Sequence, residues 1–249
     1  MITRLTFLLG AIPVKVRLGL ARGAWWSLYP CSAYWRLGGN DPAIENALGK
    51  YAAHPGFVCW DIGAHHGIYS VGLARAVGPT GRVESFEPDP VSARRLRWHK
   101  RLNKLDHLHV HAVAASDRTG CVRLYQYDSF GSTTSHLPYP GETVDQVSSL
   151  SVAAVRLDEW VQAHQIRPPN FIKIDVEGHG FSVLRGMLET LALHQPVVLL
   201  AVHTPEERDE GTALLAGIGY TFEAAAPESA DDIASRAFGE LIFIPAPRR

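Results

Sequence analysis

The chain has 249 residues, 46% hydrophobic and 20% charged, with 24 Lys and Arg against 25 Asp and Glu for a formal net charge of −1. That balance supplies no global field to gather nucleic acid, and no run reaches the roughly 18 to 20 uncharged apolar residues of a membrane span. At roughly 150 residues per domain the length fits one or two domains.

Residues 1–40 hold five cations and no acid, leaving 19 cations against all 25 acids in the remainder. This segment also carries Trp25, Trp26, Tyr29, Tyr34 and Trp35. Its apolar start runs into Pro13, Lys15 and Arg17 without a small-residue cleavage site, unlike a secretory signal. Residues 1–50 therefore read as a basic, aromatic segment that caps the core, with an acceptor or an anionic lipid surface as alternative contacts. Residues 51–249 read as the main domain. The cysteines Cys31, Cys59 and Cys121 lack C-x-x-C spacing, which argues against a disulfide framework or a cysteine zinc site. The expected location is a reducing cytoplasm, with peripheral membrane contact left open.

From residue 57 short apolar runs alternate with helical stretches, the pattern of βαβ units and a parallel sheet. Residues 57–62 form a first strand, 68–77 a helix, 83–86 a second strand and 91–104 a basic amphipathic helix. Residues 108–114 form a third strand and 122–127 an extra one. The segment 128–149, with Gly131, Pro138, Pro140 and Gly141, is a long loop. Strands at 152–156, 171–175 and 197–202 alternate with helices at 158–164, 181–193 and 206–216. Runs at 220–224 and 241–244 close the chain as an antiparallel edge. The fold class is α/β, an open doubly wound, mostly parallel sheet, in which ligands bind beyond the carboxyl ends of the strands.

After the first strand comes D-I-G-A-H-H-G at residues 61–67, where Gly63 allows a sharp turn and Gly67 a tight helix start. Glu87 follows the second strand, 20 residues beyond Gly67, a spacing at which an acid accepts from ribose hydroxyls. A dinucleotide would want a second glycine where His65 stands, so that amides can cradle a pyrophosphate. S-adenosylmethionine has no phosphate and suits this turn better.

The run F-I-K-I-D-V-E-G-H-G-F-S-V-L-R-G at residues 171–186 resembles the signature of the FkbM family of S-adenosylmethionine-dependent methyltransferases, K-I-D-V-E-G-x-E followed by L-x-G. The resemblance spans roughly residues 57–245, through D-I-G-A-H-H-G-I-Y-S, F-E-P-D-P at 86–90, A-A-S-D-R-T-G at 114–120 and V-R-L-D-E-W at 155–160. Two positions depart from it: His65, where members often carry a small polar residue, and Gly180, where they often carry Glu. The resemblance implies a Rossmann-like class I methyltransferase fold and O-methylation of a hydroxyl on a small molecule, sugar or glycan, or lipid. It implies cofactor contacts at Asp61, Gly63, His65, Tyr69, Glu87 and Asp117, with Ser116 as a competing candidate for the adenine amino group.

An alcohol is a poor nucleophile, so a base is required. Candidates follow two neighbouring strands: Asp175, Glu177 and His179 after one, His203 after the other. Histidine takes a proton near neutral pH. The same groups could instead hold a divalent metal, but no HxH or HExxH spacing imposes one, and no metal ligand is assigned. Asp175 and Glu177 have a plainer role open to them, capping the next helix. Lys173, inside its strand, is expected to pair with an acid. His107, His109 and His111 alternate on one strand face and read as packing rather than metal binding. Arg94, Arg95, Arg97, Lys100, Arg101 and Lys104 read as a solvated helix face. The alternative functions are an NAD-dependent enzyme and a non-catalytic adenosyl-ligand binding protein.

Overall fold

A computed structural model describes residues 12–27, 41–126, 148–225 and 239–247. Tyr29, Cys31, Tyr34, Trp35 and the predicted loop up to residue 147 lie outside the described residues. A short hairpin, β1 (Pro13–Lys15) and β2 (Trp25–Ser27), precedes α1 (Pro42–Tyr51). Then follow β3 (Val58–Ile62), α2 (Ile68–Val77), β4 (Arg82–Phe86), α3 (Pro90–Leu102), β5 (Leu108–His111), β6 (Ala114–Ser116) and β7 (Gly120–Gln126). Beyond these lie β8 (Ser148–Arg156), α4 (Leu157–His164), β9 (Phe171–Ile174), α5 (Gly180–Gly186) and α6 (Leu188–His194). The last elements are β10 (Val197–Val202), α7 (Pro205–Gly217), β11 (Tyr220–Ala224) and β12 (Gly239–Pro245).

The central sheet has seven strands in the order β11-β12-β10-β9-β3-β4-β5. β3, β4, β5, β9 and β10 run parallel, and β12 pairs antiparallel with both β10 and β11. The chain winds outward from β3 to β5 and then returns to place β9 on the other side of β3. The ends of β3 and β9 are thus the topological switch point, where such sheets bind ligands. Period-two alternation sends Cys59 into one core layer with α1, α2 and α3, and Val58, Trp60 and Ile62 into the other with α4 to α7. Both faces are covered, which is why these strands read as continuous apolar runs. Burial pushes the Cys59 thiol up to about 12, so it behaves as a small core residue.

Residue pairs just outside the helices explain where they start. Asp41-Pro42, Asp89-Pro90 and Thr204-Pro205 each put a capping acceptor before a proline at the first helical position. The described part of the N-terminal segment packs on the same core: Trp26 is fully buried and stacks on His99 with ring centroids 3.6 Å apart.

Three expectations need correction. The predicted strand 108–114 divides, because residues from Ala114 leave the main sheet and pair with β8 in a separate sheet, β6-β8-β7. The predicted helix 181–193 is two helices meeting at Met187. Gly186 there lies so close to Ser116 that a Cβ would stand 1.9 Å from its carbonyl oxygen. On α3, Arg95 is buried rather than solvated and lies 2.7 Å from His66 Nε2, while Arg94, Arg97, Arg101 and Lys104 are exposed. Two of the three histidines near β5 take separate partners. His107 meets the Ala74 carbonyl at 2.6 Å, His111 meets Glu84 at 2.7 Å, and His109 is part-buried beside them.

Candidate functional site

A cavity of about 250 Å³ opens at the switch point. Its wall includes Gly63, His65, His66 and Tyr69 from the turn after β3 and the start of α2, Phe86 and Glu87 from the end of β4, and Lys173, Asp175, Glu177 and His179 around β9. Trp26 of the N-terminal segment also lines it.

The turn after β3 is shaped by close approach. Gly63 has φ +79°, and a Cβ there would lie 1.8 Å from the Asp175 carbonyl oxygen. Gly67, at φ +86°, would drive a Cβ to 2.0 Å from Leu96 Cδ1. Internal partners take up the amides of this turn. Gly63 and Ala64 donate to the Phe86 carbonyl at 3.0 and 3.1 Å, Gly67 donates to Ala64, and His65 N–H donates to Glu87 Oε2 at 2.7 Å. These four amides are therefore not presented to a pyrophosphate, which speaks against a dinucleotide.

Glu87 lines the cavity, is 7% exposed, and its other oxygen accepts from Asp89 N at 2.8 Å. Burial pushes its carboxyl up to about 7, against the pull of those two backbone bonds. Without ligand, stability therefore falls as pH rises from the ordinary 4.5 to about 7, where the unfolded chain has lost a proton that the folded chain retains.

Asp61 does not line the cavity but lies beneath it. It is fully buried, accepts from Ser70 Oγ, and has one oxygen 3.5 Å from Lys173 Nζ. The β3–β9 register sets Asp61 beside Lys173. The ammonium also reaches Asp175 Oδ2 at 3.2 Å and stands over the Tyr69 ring at 5.1 Å. Burial opposes the Lys173 charge, but Asp175 and Asp61 outweigh it and hold its pKa above the usual value. In turn Lys173 and His203 overcome burial to hold Asp175 below the usual carboxylate range.

Asp175, Glu177 and His203 converge. His203 Nε2 lies 3.5 Å from Asp175 Oδ1 and 3.5 Å from Glu177 Oε2. Burial lowers the His203 pKa, but Glu207, Glu177 and Asp175 together raise it above 6.5. Among the described residues this trio alone offers donor atoms within 4.8 Å of one another, as a divalent ion would need. His179 stands apart from the group: its Nε2 is 3.1 Å from Ser116 Oγ, and burial lowers its pKa. Asp117 follows, with its carboxylate 3.8 Å from Arg185. Neither Ser116 nor Asp117 lines the described cavity, although their neighbours Ala114, Ala115 and His179 do.

The first amide of α5 is met by a residue other than Asp175 or Glu177. Its N-cap residue, His179, makes no side-chain cap bond, and the amide of Gly180 donates to Glu207 Oε1 of α7 at 2.6 Å. Sequence reasoning missed Glu207, whose only local signal is T-P-E-E at a helix start. It also missed His66, which lines the cavity with its Nδ1 unpartnered in the structure.

An adenosyl ligand fits these residues. The cavity combines apolar wall at Ile62, Phe86 and Pro88 with an acceptor carboxylate at Glu87, and the unpartnered Nδ1 belongs to a wall residue.

Comparison with known proteins gives the family. The sequence profile of the Methyltransferase FkbM domain matches residues 61–237. The chain is 29% identical over 168 residues to the hexuronic acid methyltransferase AglP of Haloferax volcanii, covering 64% of this chain and 61% of that protein. It is 31% identical over 126 residues to the 2-O-methyltransferase NoeI of Sinorhizobium fredii, covering 45% of this chain and 50% of that one. The chain thus spans about half to three fifths of the length of these relatives. The crystal structure of a methyltransferase FkbM from Methylobacillus flagellatus superposes with a TM-score of 0.53 at 18% identity, over 85% of this chain and 46% of that one, and so shares the fold. The NAD-dependent alternative is thereby overturned. The α/β fold is that of class I S-adenosylmethionine-dependent methyltransferases, and the chain belongs to the FkbM methyltransferase family.

Proposed function

We propose that this methyltransferase acts on a hydroxyl oxygen of a small molecule, a sugar or glycan, or a lipid. The convergence of Asp175, Glu177 and His203 beyond the ends of β9 and β10 carries this reading. The names of the two relatives, a hexuronic acid methyltransferase and a 2-O-methyltransferase, point the same way. When bound, S-adenosylmethionine supplies an electrophilic methyl group on a sulfonium, which leaves as the neutral thioether S-adenosylhomocysteine. Glu87 accepts from the ribose hydroxyls, while Gly63 and His65 bring backbone close to the ligand and Tyr69 closes the wall. Asp61 acts through Lys173, and Ser116 or Asp117 serves the adenine amino group.

His203 Nε2 takes the acceptor's proton as the oxygen forms its bond to carbon, and Asp175 and Glu177 stabilise the imidazolium so formed. We keep His203 as a direct base rather than a metal ligand because the Lys173 ammonium, 3.2 Å from Asp175, already supplies positive charge there. Since His203 must be neutral to act and its pKa is raised, turnover should climb with pH above 6.5. The basic aromatic segment is proposed to border the acceptor site through Trp26, which lines the cavity.

The test supplies methyl-labelled S-adenosylmethionine with a panel of hexuronic acids, neutral sugars, hydroxylated lipids and alcohols. Label on an oxygen is the expected product. His203→Gln should lower turnover by roughly 10²- to 10⁴-fold, with S-adenosylhomocysteine affinity nearly unchanged; His179→Ala, tested beside it, reports on the second imidazole. Ligand binding without transfer across the panel would return the non-catalytic reading. Loss of transfer on chelation, restored by a divalent ion, would replace the direct base with a metal.

Glu87 gives a separate expectation for cofactor affinity. Ribose donors favour its ionised form, so S-adenosylhomocysteine should bind up to about tenfold tighter at pH 8 than at pH 6 for a group titrating near 7. Calorimetry near neutrality should detect proton release. Glu87→Gln should flatten this dependence, and Glu87→Ala should cost about 1.5 to 3 kcal/mol of binding. A profile unaltered by either substitution would remove Glu87 from the ribose.

A further inference from the structure

His66 follows His65 in the turn after β3, is 1% exposed and lines the cavity. Its ring is held from behind by α3. Arg95 places Nη1 2.7 Å from His66 Nε2, and a guanidinium has donors only, so Nε2 must present its lone pair there. A neutral imidazole carries one ring proton, which then sits on Nδ1. Burial holds the His66 pKa well below 6.5, with His65, Arg95 and His99 acting in the same sense, so the ring is neutral. His66 is therefore a buried donor whose Nδ1 finds no acceptor among the described residues.

A second donor of the same wall is in the same state. Trp26 is fully buried and lines the cavity, and its Nε1, which can only donate, also finds no acceptor among the described residues. The two residues are tied together through His99, whose ring stacks on Trp26 at 3.6 Å and whose Nδ1 donates to the His66 carbonyl at 2.9 Å. The His65 ring, stacked on His66 with centroids 3.7 Å apart, adds a further support. A buried N–H without an acceptor is costly, so two of them on one wall call for an acceptor-rich group on the ligand.

The order of the strands says which group. β9, β3, β4 and β5 stand side by side, and Glu87, the ribose acceptor of the reading above, follows β4. Ala114 and Ala115, just past β5, line the cavity on the adenine side. The amino-acid end of the cofactor then points the other way, over the turn after β3. On the β9 side Asp175 and Glu177 would repel a carboxylate, and the Lys173 ammonium there is already held between Asp61 and Asp175. The amides of Gly63, Ala64, His65 and Gly67 are taken as well. The side-chain N–H groups of His66 and Trp26 supply what those amides do not. Arg95 also polarises the imidazole through Nε2, which strengthens Nδ1–H as a donor to an anion.

We propose that His66, its proton fixed on Nδ1 by Arg95, and Trp26 are cofactor-binding residues that donate to the carboxylate at the amino-acid end of S-adenosylmethionine. The choice of the carboxylate rests on the reading of Glu87 as the ribose ligand; the His66 tautomer does not, and neither depends on which atom is methylated. Trp26 stays beside the acceptor in this arrangement, because the amino-acid end and the transferred methyl group share one sulfur.

The test compares two ligands by calorimetry on the full chain: S-adenosylhomocysteine, and methylthioadenosine, which keeps the adenosyl group and the sulfur but has no amino acid. His66→Leu should weaken S-adenosylhomocysteine by roughly 10- to 100-fold, as for a lost hydrogen bond to a charged group, and leave methylthioadenosine within about twofold. Trp26→Phe, which keeps a ring and removes the N–H, should show the same selectivity at smaller size. His66→Asn, whose amide can donate from the place of Nδ1, should restore most of the affinity lost in His66→Leu. A loss shared equally by the two ligands, or no loss in either variant, would overturn the proposal. Failure of the ribose reading is a different result: Glu87→Ala, expected to weaken both ligands, would then weaken neither. If His66→Leu does not fold, the nitrogen-15 spectrum of the wild-type imidazole decides, with the signal assigned by its loss in His66→Asn. It should show Nδ1 protonated and Nε2 not, with the Nδ1 proton moving downfield on saturation with S-adenosylhomocysteine but not with methylthioadenosine. A ring protonated on Nε2, or a proton that both ligands move alike, would likewise overturn the proposal.

Discussion

Replacing Lys173 by methionine is expected to destabilise the fold by about 3 to 5 kcal/mol, the cost of removing one partner from a buried ion pair. Lys173 is 1% exposed and Asp61 is fully buried. Without the ammonium, Asp61 keeps only the Ser70 hydroxyl as a described partner, and its other oxygen makes no hydrogen bond. Water cannot rescue a group at that depth, so Asp61 must either stay charged without a counter-ion or take up a proton. Urea denaturation at pH 7 measures the loss as a lower midpoint at similar slope. The double variant Lys173→Met with Asp61→Asn should recover part of it, since an amide in place of the carboxylate removes the stranded charge. A loss below about 1 kcal/mol in the single variant would show that the pair is not what holds the centre of the sheet.

The second large effect is expected at Gly63→Ala. A methyl group there would be 1.8 Å from the carbonyl oxygen of Asp175 and 2.8 Å from its carbonyl carbon. Both are backbone atoms of the neighbouring strand end, so no side chain can rotate to relieve the contact. The residue also sits at φ +79°, where an L side chain is disfavoured. Overpacking and the left-handed conformation together cost roughly 2 to 5 kcal/mol. Relief would require the turn after β3 to part from the end of β9, two adjoining strand ends that both line the cavity. Affinity for S-adenosylhomocysteine should therefore fall more than tenfold even where the variant still folds, an effect beyond about 1.4 kcal/mol. Calorimetry on folded protein checks this, and unchanged binding would show that the turn does not set the cavity's shape.

Lys173 and Gly63 also show what kind of information the sequence holds. A lysine inside the apolar run F-I-K-I requires an acidic partner, and a glycine two residues beyond an aspartate at a strand end requires a sharp turn; both requirements are local. The partners are not local. Asp61 reaches Lys173 through the β3–β9 register, and the atom that forbids a side chain at Gly63 belongs to residue 175. The starts of α3 and α7 were legible to within a residue, because an acceptor followed by proline acts within one turn, whereas α1, which begins with the same Asp-Pro pair, was not read as a helix. The sheet of β6, β7 and β8 was not legible, since its pairing depends on strands brought together across residues 116–148. Arg95 looked like its basic neighbours on α3, and only the packing of α3 against the turn at His66 buries it.

The sequence by itself determined the α/β alternation, the glycine turn after the first strand, the acid after the second, and the motif that marks the family. Each is written in contiguous residues governed by short-range sterics, capping and periodicity. Only the tertiary structure decided which polar groups meet. It put Asp61 beneath the cavity rather than in its wall, kept His179 with Ser116, gathered His203 with Asp175 and Glu177, and brought Glu207 from a separate helix into the space that Gly180 leaves open. The reason is physical: a side chain's partner is set by the register and crossing of elements distant in sequence, and no local pattern encodes that distance.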